Sequence, residues 1–234
     1  MDNIIYEEQV KALSKISKAI VSDLYLEDIL RLIVTVTAET MGSNICSIML
    51  IDEKNKELVI RATQSISEEY TKKMPLKVGE GVAGRAAKEN KPIIIKDVTK
   101  EKEYCHKDIA KKAGLCSLLC VPLAVKGKVI GVINCYTSKP HDFTETEIDL
   151  LTSIANQAAV AIENTELMVK SKVIQEELET RKRLERAKGI LMRQQKITEE
   201  EAYLRLQKCS MDNRKSIREI AEAIILAEGI SNKR

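Results

Sequence analysis

Six cysteines and two histidines are the side chains of this 234-residue chain best suited to nucleophilic, metal or redox chemistry, and their spacing limits what they can do. Cys116 and Cys120 lie four apart in an apolar run. On a strand they would share a face about 13 Å apart, too far for one ion or a mutual disulfide. Cys105 and His106 offer two adjacent ligands, to which Cys46 or Cys135 would have to add from neighbouring strands. Buried small thiols beside a surface histidine explain the same residues without a metal, since free cysteine is among the most buried residue types. His141, between Pro140 and Asp142, reads as a surface turn residue. Two histidines leave little for acid–base work, and no G-x-S-x-G, H-E-x-x-H or Walker pattern occurs. No catalytic residue and no metal site is predicted, and the chain reads as a non-enzyme.

Two further patterns invite chemistry that their surroundings do not support. Gly79-Glu80-Gly81-Val82-Ala83-Gly84 fits G-x-G-x-x-G, but a dinucleotide site needs a buried parallel strand before it. The polar, proline-broken stretch from Lys72 to Lys77 stands there instead, so a glycine-assisted turn feeding a short helix over 82–89 is expected. Asp52 ends a predicted strand as a phospho-acceptor would. A receiver strand, however, leads into a crossover helix, and this one returns as a hairpin.

The composition suits a globular chain: 44% of residues are hydrophobic, enough for one ordinary domain and a small one. The net charge of +3 is unevenly placed. From Ser171 on there are 15 Lys and Arg against 11 Asp and Glu, and ahead of it 23 against 24. That asymmetry permits a nucleic-acid partner. The opening MDNIIYEEQV has acids where a secretory signal would be basic, and no apolar run approaches the ~20 residues a bilayer demands. A cytoplasmic protein with reduced thiols, no disulfide and no membrane contact is expected.

Tyr6, Val10, Leu13, Ile16 and Ile20 recur at helical spacing, giving an amphipathic N-terminal helix over 1–25. A second helix follows over 26–41, with Ile29, Leu30, Ile33 and Val36 inward and Gly42 as its stop. The period then shortens to two. Strands are predicted over 45–51, 58–62, 92–95, 115–125 and 129–135, with a turn at Lys126-Gly127-Lys128. A long helix starts at Thr144, with Glu147 completing its cap. This order gives an α+β class, an antiparallel sheet with helices on one side. The stretches VGEGVAGRAAKENKPIIIKDV, CSLLCVPLAVKGKVIGVINCYTSKPHDFTETEIDLL and IANQAAVAIENTEL together resemble a GAF domain over 26–167. The resemblance implies a sensory module that holds a small ligand over its sheet. Cyclic-nucleotide binders of that family carry Asn-Lys and Phe-x-x-x-Asp-Glu. Here Asn134 precedes Cys135, and Glu147-Ile148 follows Phe143, so no cofactor is identified and the ligand stays open.

From Thr146 to Arg193 there is no proline, and no glycine before Gly189. A helix of that length would run about 70 Å. Ile148, Leu151, Ala155, Ala158 and Ile162 form heptads that Val169 continues; Ile174 and Leu178 carry on a thinner seam, and Arg181 breaks it. A face that size needs a partner, and a second copy of the chain is expected to supply it, making a homodimer.

Beyond the connector, three apolar stripes follow one another: Leu184, Ala187, Leu191, Met192; then Ala202, Tyr203, Leu206; then Ile217, Ile220, Ala221, Ile224, Ile225. Thr198 with Glu201, and Ser216 with Glu219, have capping-box spacing and separate them. A three-helix bundle is predicted. Its AKGILM, EEEAY, Met211-to-Arg214 turn and EIAEAII resemble an ANTAR domain within 168–229, leaving a tail over 230–234. That family binds nascent RNA and prevents transcription termination. The resemblance implies an RNA partner, in reach of an RNA polymerase complex, with Lys188 and Gly189 at the family's A-K-G motif and Arg214 at its turn position; Arg193, Lys215 and Arg218 are the further RNA contacts expected beside them. Gly189 is expected where a partner comes close, because glycine inside a helix otherwise costs about 1 kcal/mol against alanine. Tyr203 is expected in the core. Two other outputs fit the pattern less well: a DNA-binding helix-turn-helix, whose turn the 211–216 segment overruns without the usual glycine, and a tail that only dimerises.

Overall fold

The computed structural model describes residues 2–22, 24–64 and 75–231, with side chains from Glu7 onward except Glu8 and Ser231. The Tyr6 side chain of the first stripe, 72–74 ahead of the glycine motif and the tail beyond 231 lie outside what is described. The elements run α1 (Asp2–Ile20), α2 (Leu26–Met41), β1 (Ile45–Asp52), β2 (Glu57–Thr63), β3 (Leu76–Lys77), α3 (Gly81–Glu89), β4 (Ile93–Ile95) and α4 (Lys107–Lys112). Then come β5 (Leu118–Val125), β6 (Lys128–Tyr136), α5 (Glu145–Gln195), α6 (Glu199–Asn213) and α7 (Ile217–Ser231). They form two compact units, Met1–Thr165 and Glu166–Arg234, and α5 belongs to both. Among the described residues no helix is long and apolar enough to cross a membrane.

The first unit is built on a six-stranded sheet in the order β3-β2-β1-β6-β5-β4, antiparallel throughout. Alternation along each strand sends residues to opposite faces. Cys46, Ile48, Leu119, Val121, Ile133 and Cys135 meet α1, α2 and the start of α5 on one face. Ile45, Met49, Leu118, Cys120, Val132 and Tyr136 meet α3 and the 93–115 segment on the other. Helices therefore cover both faces, where the sequence suggested one; β-strands that are apolar on both sides demanded the second layer. The β5–β6 hairpin turns through Lys126 and Gly127, at φ 50° and 82°, the double left-handed geometry that matches strand twist. Cys116 precedes β5, which begins three residues later than the apolar run does.

The heptads from Ile148 to Ile162 have a partner inside the chain. Leu151, Ile154, Ala155, Ala158 and Ile162 are fully buried against α1, α2 and the sheet. The expected dimer seam over this stretch is corrected: intramolecular burial leaves no such face for a second copy. Thr144 starts α5 as its spacing predicts. The Glu147 carboxylate accepts from the Thr144 N–H and hydroxyl at 2.7 and 2.9 Å, and from His141 Nε2 at 2.8 Å. Burial alone would raise the Glu147 pKa, but these hydrogen bonds bring it below its ordinary value.

The second unit has its own small core. Ala187, Leu191, Ala202, Leu206, Ile220 and Ala221 are buried, with Leu184, Ile197, Ile217 and Ile224 packed around them. Thr198 and Glu201 form a complete capping box at the start of α6, and Ser216 and Glu219 form the same pair of contacts before α7. α6 continues to Asn213, and Arg214 takes the left-handed C-cap position at φ 51°. The link to α7 is therefore only 214–216, shorter than the sequence suggested. Its length no longer argues against a helix-turn-helix.

Candidate functional site

Each unit offers groups suited to recognition. In the first, a cavity of about 20 Å³ opens between the sheet and α3, with room for roughly one water-sized group. Tyr104, Cys105, His106, Asn134 and Tyr136 supply its polar atoms. The Tyr104 and Tyr136 hydroxyls are 3.2 Å apart and their rings meet edge to face at 6.4 Å. Burial pushes the Tyr104 phenol up to about 12, so it is a neutral donor at any physiological pH. Asn134 is 2% exposed, and its Oδ1 has no hydrogen-bond partner among the described residues. Such an acceptor suits a ligand that donates to it.

The glycine motif shapes the rim of that cavity and makes no phosphate loop. Gly79 N donates to Gly84 O at 2.8 Å, and a Cβ on Gly84 would stand 2.4 Å from the Lys77 carbonyl oxygen. The strand before it, β3, is two residues long and antiparallel to β2. A turn feeding a helix is what the motif builds, as its surroundings predicted. The helix starts at Gly81, one residue earlier than expected.

All six cysteines are thiols. Cys46 and Cys135 stand opposite each other across β1 and β6, Sγ to Sγ at 3.7 Å, a pairing that sequence spacing missed. Burial pushes both the Cys46 and the Cys120 thiol up, so neither is a ready nucleophile. Cys105 is exposed and Cys116 half-buried, so only three of the six are buried. No group of three or more His, Cys, Asp or Glu side chains converges among the described residues.

In the second unit the basic residues divide by whether a carboxylate already holds them. Lys188 is 8% exposed, with Nζ 2.8 Å from Glu185 and 2.6 Å from Glu199. Those two carboxylates raise its pKa, and Lys188 in turn lowers that of Glu199. Arg193 pairs with Glu228 at 2.9 Å, and Arg218 with Glu222 at 3.0 Å. Arg183 also reaches Glu222. Arg214 and Lys215 are exposed at the α6–α7 turn.

The GAF domain family matches residues 24–163 and the ANTAR domain family residues 172–225. The chain belongs to the GAF family and carries an ANTAR domain behind it. It is 28% identical over 166 residues to a methyl sulfide methyltransferase-associated sensor of Methanosarcina acetivorans, covering 68% of this chain and 16% of that protein. It is 27% identical over 154 residues to the transcriptional regulatory protein PdtaR of Mycobacterium tuberculosis, covering 65% of this chain and 63% of that one. The chain thus spans about a sixth of the first relative and under two thirds of the second. Among solved structures, the GAF domain of a phosphoenolpyruvate-protein phosphotransferase from Coxiella burnetii superposes with a TM-score of 0.64 at 24% identity, over 70% of this chain and 98% of that one. A free methionine-R-sulfoxide reductase from Neisseria meningitidis gives 0.59 at 22%, over 68% and 91%. At these identities the likeness shows the fold. A sensory GAF domain ahead of an ANTAR output domain makes the chain a signal-responsive regulator.

One expectation for the ANTAR domain is corrected by its geometry. Tyr203 is 43% exposed, because the α6 stripe that reaches the core is Ala202 and Leu206. Gly189 makes no close approach within the chain: a Cβ there would meet nothing within 4 Å. Of the six expected RNA contacts, α5 carries Lys188, Gly189 and Arg193, while Arg214, Lys215 and Arg218 sit at the turn and the start of α7. Sequence reasoning did not single out Lys182 and Arg186, exposed on α5 with no ion pair among the described residues. Their signal was the run Arg181-Lys182-Arg183 with Arg186 four residues after Lys182, on the same helix face.

Proposed function

We propose that this regulator binds hairpins in nascent RNA through its ANTAR domain and prevents transcription termination, under control of a small ligand held by its GAF domain. The observation that carries this reading is the ANTAR match over 172–225. It falls on a bundle with its own core and with Arg214 and Lys215 free at a turn. Those two side chains meet phosphates directly. Arg193 and Arg218 exchange a carboxylate for a phosphate, Gly189 leaves its backbone open to the RNA, and Lys188 holds the start of α6 in place for the others. The bound transcript lies within reach of RNA polymerase, in the cytoplasm, and the chain performs no reaction of its own. We assign 26–167 to the sensor and 168–229 to the output with its connector.

A homodimer fits the same reading through the thinner continuation of the seam along α5, not through Ile148–Ile162. Leu167, Ile174 and Leu178 are 51%, 64% and 51% exposed at spacings of seven and four. Light scattering should give twice the 26.3 kDa chain mass. A monomer at micromolar concentration, with RNA and without it, would refute the dimer.

The RNA reading is tested by filter binding of the full chain to a stem–loop RNA and to duplex DNA of equal length. Preference for the stem–loop is expected, with a log–log salt slope near −0.7 per single-strand phosphate neutralised. Arg214→Ala should weaken that binding at unchanged helical content. Equal affinity for the two nucleic acids would end the antiterminator reading.

A further inference from the structure

Beside the turn that carries Arg214 and Lys215, the ANTAR domain has a second surface with the chemistry of a nucleic-acid site. A shallow groove runs between α5 and α7, lined by Lys182, Arg183, Arg186, Glu222, Ile225 and Leu226. Its charges do not balance. Glu222 is already held by Arg183 and by Arg218, the latter at 3.0 Å. Lys182 and Arg186 are exposed and no carboxylate among the described residues pairs with either. Three cations therefore face one carboxylate, which a fourth cation outside the groove, Arg218, also neutralises. At 100° per residue, Lys182, Arg186, Gly189 and Arg193 fall on one narrow stripe of α5, about 16 Å long. Across from the two cations lies Leu226, 67% exposed, with Ile225 half-buried at its side. Gly189 sits within the stripe, and nothing in the chain fills the space above it.

We infer that this groove is a second RNA-contacting surface, in which Lys182 and Arg186 take phosphates of a single-stranded loop while Leu226 and Ile225 lie under an unstacked base. The inference rests on the RNA reading above and adds residues which that reading does not use. A phosphate contact is made at least cost by a cation whose donors are available, and Lys182 and Arg186 are available where Lys188 and Arg183 are not. The exposed aliphatic floor offers a base face an apolar surface between the cations. A second copy of the chain is a poor occupant. Two-fold pairing places the same patch against itself, so its net positive charge would face an equal positive charge. Glycine at 189 removes the one side chain that would lift a ribose-phosphate strand off the helix between Arg186 and Arg193.

The test uses the full chain, a stem–loop RNA, and the same stem as a blunt RNA duplex. Lys182→Ala with Arg186→Ala should weaken stem–loop binding roughly tenfold or more and reduce the salt slope by about 1.4, two phosphates' worth. Leu226→Ala should weaken the stem–loop and leave the blunt duplex as it was. Lys182→Gln with Arg186→Gln, which keeps the aliphatic stems, should reproduce the slope change if the alanine pair perturbs folding. Unchanged stem–loop affinity in both pairs, with Arg214→Ala still impaired, would overturn the groove while leaving the RNA reading intact. Wild type that binds neither RNA would overturn both. A variant that lost dimer mass at unchanged RNA affinity would make the groove a self-association face and overturn the inference.

Discussion

The GAF and ANTAR domains handle their polar side chains in opposite ways. The GAF domain encloses them: Asn134, Tyr104 and Tyr136 surround a water-sized cavity between two apolar layers. The ANTAR domain packs a core cluster of six residues and carries most of its charges outside, some locked in pairs and some free. A buried polar group is costly unless satisfied, so an enclosed cavity selects a small ligand able to satisfy it. An exposed cation costs little to keep and is screened by salt, so an open charged surface selects a large polyanion by summed contacts. Under the function proposed above, the contrast separates the two tasks, with detection in a nearly filled interior and output on a surface.

That contrast can be broken by attacking the smaller core. Leu206 is fully buried in the ANTAR domain, and Leu206→Ala should cost about 2–5 kcal/mol. So small a core has little to spare, so the bundle is expected to unfold while the GAF domain stays folded. Hydrogen exchange should show lost protection over 199–231 and retained protection over 118–136. Loss of protection in both would show a single cooperative unit instead.

Acid is expected to act next, and on the same side. Lys188 lowers the Glu199 pKa, the Ser216 hydroxyl and backbone that of Glu219, and Arg218 with Arg183 that of Glu222. Each folded pKa lies below the unfolded value of about 4.3, so its stabilisation is fully present above that value and is lost as pH falls through the folded one. Circular dichroism melts should be level from pH 7 to about 5 and fall below about 4, with the ANTAR transition dropping first. Depressed carboxylates occur in the GAF domain too, at Glu53, Asp97 and Glu147, but its two larger cores delay the loss. Earlier acid melting of the GAF domain would contradict this ordering.

A smaller effect sharpens the comparison. The capping box at Thr198 holds the α5–α6 corner, and Thr198→Ala should lower ANTAR stability by about 1 kcal/mol. The GAF transition should not move. A melt in which both transitions shift equally would mean that the corner is coupled to the sensor.

What was legible in the sequence was local. Thr144 with Glu147, Thr198 with Glu201 and Ser216 with Glu219 each announce a helix start within four residues, and all three form those bonds. Strand alternation and the Lys126-Gly127 turn were equally readable. What failed depended on distant partners. The Ile148–Ile162 heptads look the same whether a second chain or the chain's own α1 and α2 cover them. The facing of Cys46 and Cys135 is set by strand register between residues 89 apart. Lys188 and Lys182 are both lysines on one helix. The first is buried and paired with Glu185 on its own helix and with Glu199 on the next, a partner that helix spacing alone does not reveal, while the second is exposed.

The claim that this is an antitermination regulator is tested most directly by transcription itself. In a single-round assay on a template whose leader encodes paired hairpins before a terminator, the full chain should raise read-through in proportion to its stem–loop affinity. Arg214→Ala should raise it less. Unchanged read-through at protein concentrations that saturate the stem–loop would contradict the account.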